Sequence, residues 1–200
     1  MPNFAYYFTT AMQEQLSRYI QEKINISDTE LKTAMTYFKS IKVKKNEFLV
    51  NHGESSQRTF FVGKGCLRIF FLNEDGQEAT RYFAFENQFA TALTSFITGD
   101  PSAEFIQAVE ATDLLYISHD DFYHLLEIIP EWEKFYRSYL ENAYVNNTNR
   151  LMSFITMDAT ERYRQLLSQS PIIVKRLPNK MVASYLNISQ ETLSRLKSKV

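Results

Sequence analysis

The feature that most limits what this chain can become is a stretch of 27 residues, 131–157, containing neither glycine nor proline. Nothing in it interrupts a helix. Trp132, Phe135, Tyr136, Tyr139, Ala143, Leu151, Phe154 and Ile155 recur at a broken three-to-four spacing, which predicts helix throughout. Pro130, just before it, suits a helix's first turn. Roughly 25 residues of helix run ~40 Å at 1.5 Å per residue. A helix of that length needs support along its flank. Two supports are open: the same helix of a second copy, which would make a homodimer, or β-structure of the chain itself. Asn142, Asn146, Asn147 and Asn149 dilute the apolar stripe.

The segments on either side follow different periods. Residues 1–40 read as helical. Ser27-Asp28-Thr29-Glu30 fits a capping box, and Leu31, Ala34, Met35 and Phe38 then recur at helical spacing. From Ile41 to Ser118 the chain carries most of its Gly, many of its Phe, and short β-like runs between turn signals. Phe60–Val62 and Cys66–Leu72 flank Gly63-Lys64-Gly65. Asp75-Gly76 supplies the positive φ of a hairpin turn, and Ala79–Phe85, Phe105–Val109 and Leu114–Ile117 follow as further strands. Many short strands at such intervals suggest a small barrel, roll or sandwich. Helix resumes at Ser118 and runs to Pro130. The expected fold class is therefore α+β: an N-terminal β-roll with flanking helices over 1–130, a long helix over 131–157, and a helical module over 158–200.

That last module opens on a second capping box, Asp158-Ala159-Thr160-Glu161, whose helix runs to about Ser168 before Ser170-Pro171 breaks it. From Asn179 a tighter pattern begins. Val182 and Leu186 lie one turn apart, and Ala183 is small, as close helix crossings require. Asn187 tolerates the left-handed conformation, Ile188 plugs the corner, and Ser189 can N-cap a second helix whose Leu193 and Leu196 face inward. This is a helix–turn–helix pattern. It leaves Gln190, Glu191, Ser194 and Arg195 outward near the second helix's N-terminus, where such motifs reach base edges in the major groove. Arg195 can donate twice to guanine, Glu191 can accept from cytosine N4, Gln190 can read adenine, and Ser194 is promiscuous. Lys180, Ser189, Lys197 and Lys199 are placed to hold phosphates. The charge agrees: residues 161–200 hold eight bases and two acids, a net of +6, while the other 160 residues carry −7. A basic module on an acidic body suggests contact with a polyanion, and the helix–turn–helix pattern makes double-stranded DNA the expected partner.

With its β-roll, long helix and terminal "MVASYLNISQETLSRLKSK", the chain resembles the Crp/Fnr family of bacterial transcription regulators, whose endings are of the "IASYLGITPETLSR" type. The resemblance implies a dimer on a palindromic site, with RNA polymerase as a further partner. In its fumarate–nitrate branch a Glu, a Ser and an Arg spaced as Glu191, Ser194 and Arg195 read a TTGAT-type half-site. In the cyclic-AMP receptor branch an Arg stands at the place of Gln190. The run "FFVGKGCLRIFFLNEDGQEATRYF" resembles the core of a cyclic-nucleotide-binding domain, a double-stranded β-helix, and puts the phosphate-binding cassette at 89–105. Ala90 and Thr91 then stand where cyclic-AMP binders carry Gly-Glu, and the position of the phosphate-pairing Arg falls near Ser102. Without that charge a buried phosphate is poorly held, so no response to cyclic AMP is expected. Arg81, on a neighbouring strand, is the remaining candidate for an anion there, and any effector is unidentified.

Other chemistries find no support. Cys66 stands alone, so neither a disulfide within the chain nor a cysteine cluster is expected. His52, His119 and His124 have no ligand spacing, no nucleophile triad or phosphate-cradling glycine loop can be found, and no cofactor, metal or enzymatic activity is expected. No apolar run approaches the ~20 residues of a membrane span, and the opening residues do not read as a secretory signal. A cytoplasmic protein is expected. The rival reading is a sensor or interaction module of the same fold that does not touch DNA.

Overall fold

The computed structural model describes the backbone of residues 4–199 and the side chains of residues 11–199. Its helices and strands follow in the order α1 (Phe4–Gln21), α2 (Asp28–Thr36), β1 (Lys39–Val43), β2 (Phe48–Val50), β3 (Arg58–Lys64), β4 (Leu67–Leu72), β5 (Glu78–Ala84), β6 (Phe89–Ala90), α3 (Leu93–Thr98), β7 (Phe105–Ala108), β8 (Thr112–Ser118), α4 (His119–Ile128), α5 (Pro130–Thr156), α6 (Ala159–Gln169), α7 (Pro171–Arg176), α8 (Asn179–Leu186) and α9 (Gln190–Lys197). The fold is α+β. The eight strands form two four-stranded sheets, ordered β1-β8-β3-β6 and β2-β7-β4-β5. The chain divides into two compact units: Met1–Ile69 with Phe83–Tyr139, and Phe70–Tyr82 with Leu140–Val200. Among the described residues no helix is long and apolar enough to cross a membrane.

In the first unit α1 lays Met12, Leu16 and Ile20 on the roll, where they join Phe61, Phe89, Leu115 and Ile117 from the strands and Phe122, Leu125, Trp132 and Phe135 from the helices that follow. Many of the chain's aromatic rings are concentrated here. Trp132 lies 4.8 Å, centroid to centroid, from Phe135 and 5.7 Å from Phe122; Phe89 lies 6.1 Å from Phe135. These spacings suit tilted and edge-on ring pairs. The first ten residues of α5 are therefore supported by the chain's own roll. β3 pairs with β8 through Phe60↔Tyr116, Phe61↔Leu115 and Val62↔Leu114, and the register shifts between Val62 and Lys64.

The second unit holds the rest of α5, the tip of the β4–β5 hairpin and helices α6 to α9. Here α5 is exposed at Tyr144, Val145, Leu151, Met152 and Ile155. Of the two supports left open by the sequence, the chain's own roll serves the first half of the helix, and the second half keeps an exposed apolar stripe.

Several expected local features are present. Ser27 and Asp158 both close capping boxes, and Ser118 accepts the Asp121 amide to start α4. The hairpin turns at Gly76, φ 73°, with Gly76 N donating to Asn73 O at 2.9 Å. Five elements were not expected. β1 (KSIKV) is mostly exposed and lacks clean alternation; β2 (FLV) has three residues, β6 two, α3 six, and α7 begins at the Pro171 that reads as a helix breaker. Pro171 does end α6, but it also serves as the first residue of α7, the one helical position that tolerates it.

Gly65 turns β3 into β4 at φ 106°. A Cβ there would sit 2.5 Å from Thr112 Oγ1 and 2.9 Å from its Cα, whereas one on Gly76 would meet nothing within 4 Å. Gly76→Ala should cost only the left-handed backbone strain, about 1 kcal/mol. Gly65→Ala adds a clash with the β8 backbone and should cost distinctly more. Urea denaturation of the two variants beside the wild type tests this; equal losses would contradict it.

Candidate nucleic-acid interface

The turn between α8 and α9 is made by local chemistry. Asn187 adopts the left-handed conformation, φ 53° and ψ 52°, and Ile188 N donates back to Ala183 O at 3.1 Å. Two residues on, Ser189 is the N-cap of α9: its Oγ accepts from Thr192 N at 3.1 Å and lies 3.2 Å from Thr192 Oγ1. Val182, Ala183, Leu186, Leu193 and Leu196 are buried, so the inner faces expected for both helices are the ones observed. Ile188 is half-buried at the corner.

Burial of Leu193 and Leu196 fixes the rotation of α9. Gln190, Glu191, Ser194 and Arg195 are all exposed as a result. The Glu191 carboxyl is held below the usual carboxylate range by its own backbone N–H and by the Ser189 hydroxyl, with a smaller contribution from the Arg195 charge. It therefore remains an acceptor at neutral pH. Arg195 Nη2 donates to Thr192 Oγ1 at 3.1 Å, which steadies the guanidinium one turn below the helix start. Of the expected phosphate contacts, Lys199 is exposed, Lys197 Nζ donates to Asn179 Oδ1 at 2.5 Å, and Lys180 Nζ is 3.6 Å from Glu78 Oε2 on the hairpin. The Ser189 hydroxyl is committed to capping.

Sequence reading missed the residues around this motif. Ser184, on α8, donates to Glu78 O at 2.7 Å, accepts from Thr80 N at 3.0 Å, and lies 2.8 Å from Thr80 Oγ1. Arg150, on α5, donates through Nη2 to Thr80 O at 2.7 Å and to Tyr185 O at 2.6 Å. Its guanidinium lies 4.0 Å from the centre of the Tyr185 ring and 4.8 Å from that of Phe154. Burial pushes its pKa down from the ordinary arginine value, and the Tyr185 contacts act against that. Arginine nevertheless stays charged in proteins. No local pattern could have revealed these contacts.

Three of the four residues expected near an effector lie in the first unit. Ala90 and Thr91 are buried on and just after β6; Thr91 Oγ1 makes a short hydrogen bond with Thr59 Oγ1 and accepts from Tyr139 OH at 3.0 Å. Ser102 is buried, donating to Glu104 O and accepting from Glu104 N, each at 3.0 Å. Arg81 is half-buried in the second unit, with Nη1 3.5 Å from Asn147 Oδ1.

The chain is similar to known proteins over both its β-roll and its helices. The family model for the cyclic nucleotide-binding domain matches residues 40–128. The cAMP-activated global transcriptional regulator CRP of Salmonella typhimurium is 20% identical over 141 residues, covering 70% of this chain and 67% of that protein. Its counterpart in Pasteurella multocida is 22% identical over 119 residues, 60% of this chain and 57% of that protein. Among solved structures, FixK2 from Bradyrhizobium japonicum superposes with a TM-score of 0.71 at 15% identity, over 81% of this chain and 83% of that one. The c-di-GMP responsive global regulator CLP of Xanthomonas campestris gives 0.69 at 15% identity, over 86% and 91%. Residues 40–128 thus resemble a cyclic nucleotide-binding domain, and the fold as a whole resembles that of FixK2 and CLP.

The lowering of the Glu191 carboxyl can be tested directly. In the wild type Glu191 should titrate below the ordinary glutamate range, and Ser189→Ala should move it back up. The pH dependence of the side-chain carboxyl 13C shift reads both; an unmoved titration would remove Ser189 as one of the causes.

Proposed function

We propose that this chain is a sequence-specific DNA-binding transcription regulator of the Crp/Fnr type, acting as a homodimer on a palindromic site. The observation that carries the reading is the rotation of α9: Leu193 and Leu196 are buried while Gln190, Glu191, Ser194 and Arg195 face out beside a capped N-terminus. Arg195 donates to O6 and N7 of a guanine, Glu191 accepts from a cytosine N4, Gln190 reads adenine and Ser194 adds an adaptable hydroxyl. The Crp/Fnr resemblance makes the half-site TTGA-like. Lys180, Lys197 and Lys199 hold phosphates, and Ser189 contributes by presenting the capped helix end to the backbone. Lys180 leaves Glu78 to do so. The work of such a module is recognition rather than catalysis, in the cytoplasm, with RNA polymerase as the expected further partner.

The dimer reading is supported by the second half of α5. Tyr144, Leu151 and Ile155 recur along one face with Val145 and Met152 beside them, and all five are exposed. The same stripe of a second copy would cover them in a parallel pair. Two α9 helices would then meet successive major grooves about 34 Å apart.

In this reading the chain does not respond to cyclic AMP. At the positions that the resemblance assigns to the ribose and phosphate contacts stand Thr91 and Ser102, both uncharged and both engaged with neighbours of the same unit. A buried phosphate without a guanidinium there loses its strongest partner. Arg81 remains a candidate for an effector of other chemistry.

Selection of bound sequences from a random DNA pool by the purified protein tests the reading as a whole; a pool without enrichment at low ionic strength would sink it. Arg195→Ala should relax preference at one guanine per half-site, an effect of about 1–3 kcal/mol. Lys180→Ala should instead weaken all sequences alike and lower the salt slope by about one; a sequence-selective loss would contradict its role. Leu151→Glu combined with Ile155→Glu should leave a folded monomer by sedimentation equilibrium, and a dimer that persists would remove α5 as the interface.

A further inference from the structure

The C-terminal end of α8 carries an inference beyond base reading. The last four carbonyls of a helix have no partner within it and must find one elsewhere. In α8 they are those of Ala183, Ser184, Tyr185 and Leu186. The turn serves the first two: Ile188 N donates to Ala183 O at 3.1 Å and Asn187 N to Ser184 O at 3.3 Å. The other two are served from outside the motif. Arg150, on α5, donates to Tyr185 O at 2.6 Å, and Arg162, on α6, reaches Leu186 O at 3.4 Å. A cation at a helix C-terminus also meets the negative end of the helix dipole.

Arg150 does more than complete a cap. The same Nη2 donates to Thr80 O, and Thr80 in turn grips Ser184 through both its amide and its hydroxyl. One guanidinium therefore joins three elements: the half of α5 that carries the bare stripe, the tip of the β4–β5 hairpin, and the helix that precedes the turn. Stacking on Tyr185 and Phe154 holds its plane. Three points of fixation from different directions define an orientation; one would define only a tether.

We propose that Arg150 is a positioning residue: it sets the orientation of the helix–turn–helix on the long helix, and so the spacing between half-sites that a dimer accepts. The inference rests on the DNA-binding reading above. It concerns a residue that touches no DNA in that reading, and it assigns Ser184 as the second fixed point, through the hairpin. Each base pair added between half-sites rotates one of them by roughly a tenth of a turn about the duplex. A motif held rigidly on α5 tolerates little of that rotation, and a motif freed from Arg150 tolerates more.

The test uses the full-length protein and duplexes carrying two copies of its selected half-site, with centre separations from two base pairs fewer to two more than the optimum. The wild type should lose about tenfold or more in affinity across that range. Arg150→Met should flatten the dependence to about twofold or less, with the salt slope and the base preference at each half-site unchanged. Arg150→Lys, which keeps one donor but not the planar stack, should fall between them. Ser184→Ala should also broaden the profile, and it provides the test should Arg150→Met fail to fold. A variant that is merely less stable binds less at every separation and keeps the wild-type optimum and steepness. That result in Arg150→Lys and Ser184→Ala would overturn the positioning role. A wild type with no sequence preference at all would instead overturn the regulator reading.

Discussion

The constraint on which the rest of the second unit depends is the closure of a short helix. α8 has eight residues, and the chain must reverse after it within three. Its four terminal carbonyls would be costly if buried unpaired. Asn187 in the left-handed conformation solves half of this by turning its own amide and that of Ile188 back onto the helix. Guanidinium groups from α5 and α6 solve the other half. Because the solution recruits other helices, the motif is not a free-standing hairpin of helices but a part of the unit around it. The rotation of α9, and with it the exposure of Gln190, Glu191, Ser194 and Arg195, follows from Leu193 and Leu196 packing on a helix fixed in this way.

α5 meets two different demands along one uninterrupted run. Its first turns bury Trp132 and Phe135 in an aromatic cluster of the first unit, where Phe38, Phe89 and Phe122 surround them. Its later turns bury little: Ser153 is buried and Arg150 largely so, while Leu151 and Ile155 face away. The asparagines that dilute the stripe lie in this second half.

Much of this was legible beforehand where the interactions are local. The capping residues Ser27, Ser118, Asp158 and Ser189, the hairpin glycine and the inward leucines of α9 each act within four residues, so their spacing is their signature. The short edge strands β1 and β2 were not legible: the Lys-rich β1 buries too little to impose alternation, and β2 has only three residues. α3 and α7, at six residues each, are shorter than the two turns over which a helical period declares itself. At the candidate effector region the absence of charge at Ala90, Thr91 and Ser102 stands in the sequence itself. That Thr91 is held between Thr59 and Tyr139 could not be read, since the three come from different parts of the chain.

By itself, then, the sequence determined the longer helices and strands, which face of α9 is apolar, and which four side chains stand on the other face. Those outcomes depend on backbone hydrogen bonds and side-chain periods a few residues long. Only the tertiary structure decided what fixes the helix–turn–helix in place: the grip of Thr80 on Ser184 spans 104 residues, and that of Arg150 on Tyr185 spans 35. Such contacts leave no period and no spacing in the chain, because they form only when packing has brought distant backbone carbonyls to one guanidinium.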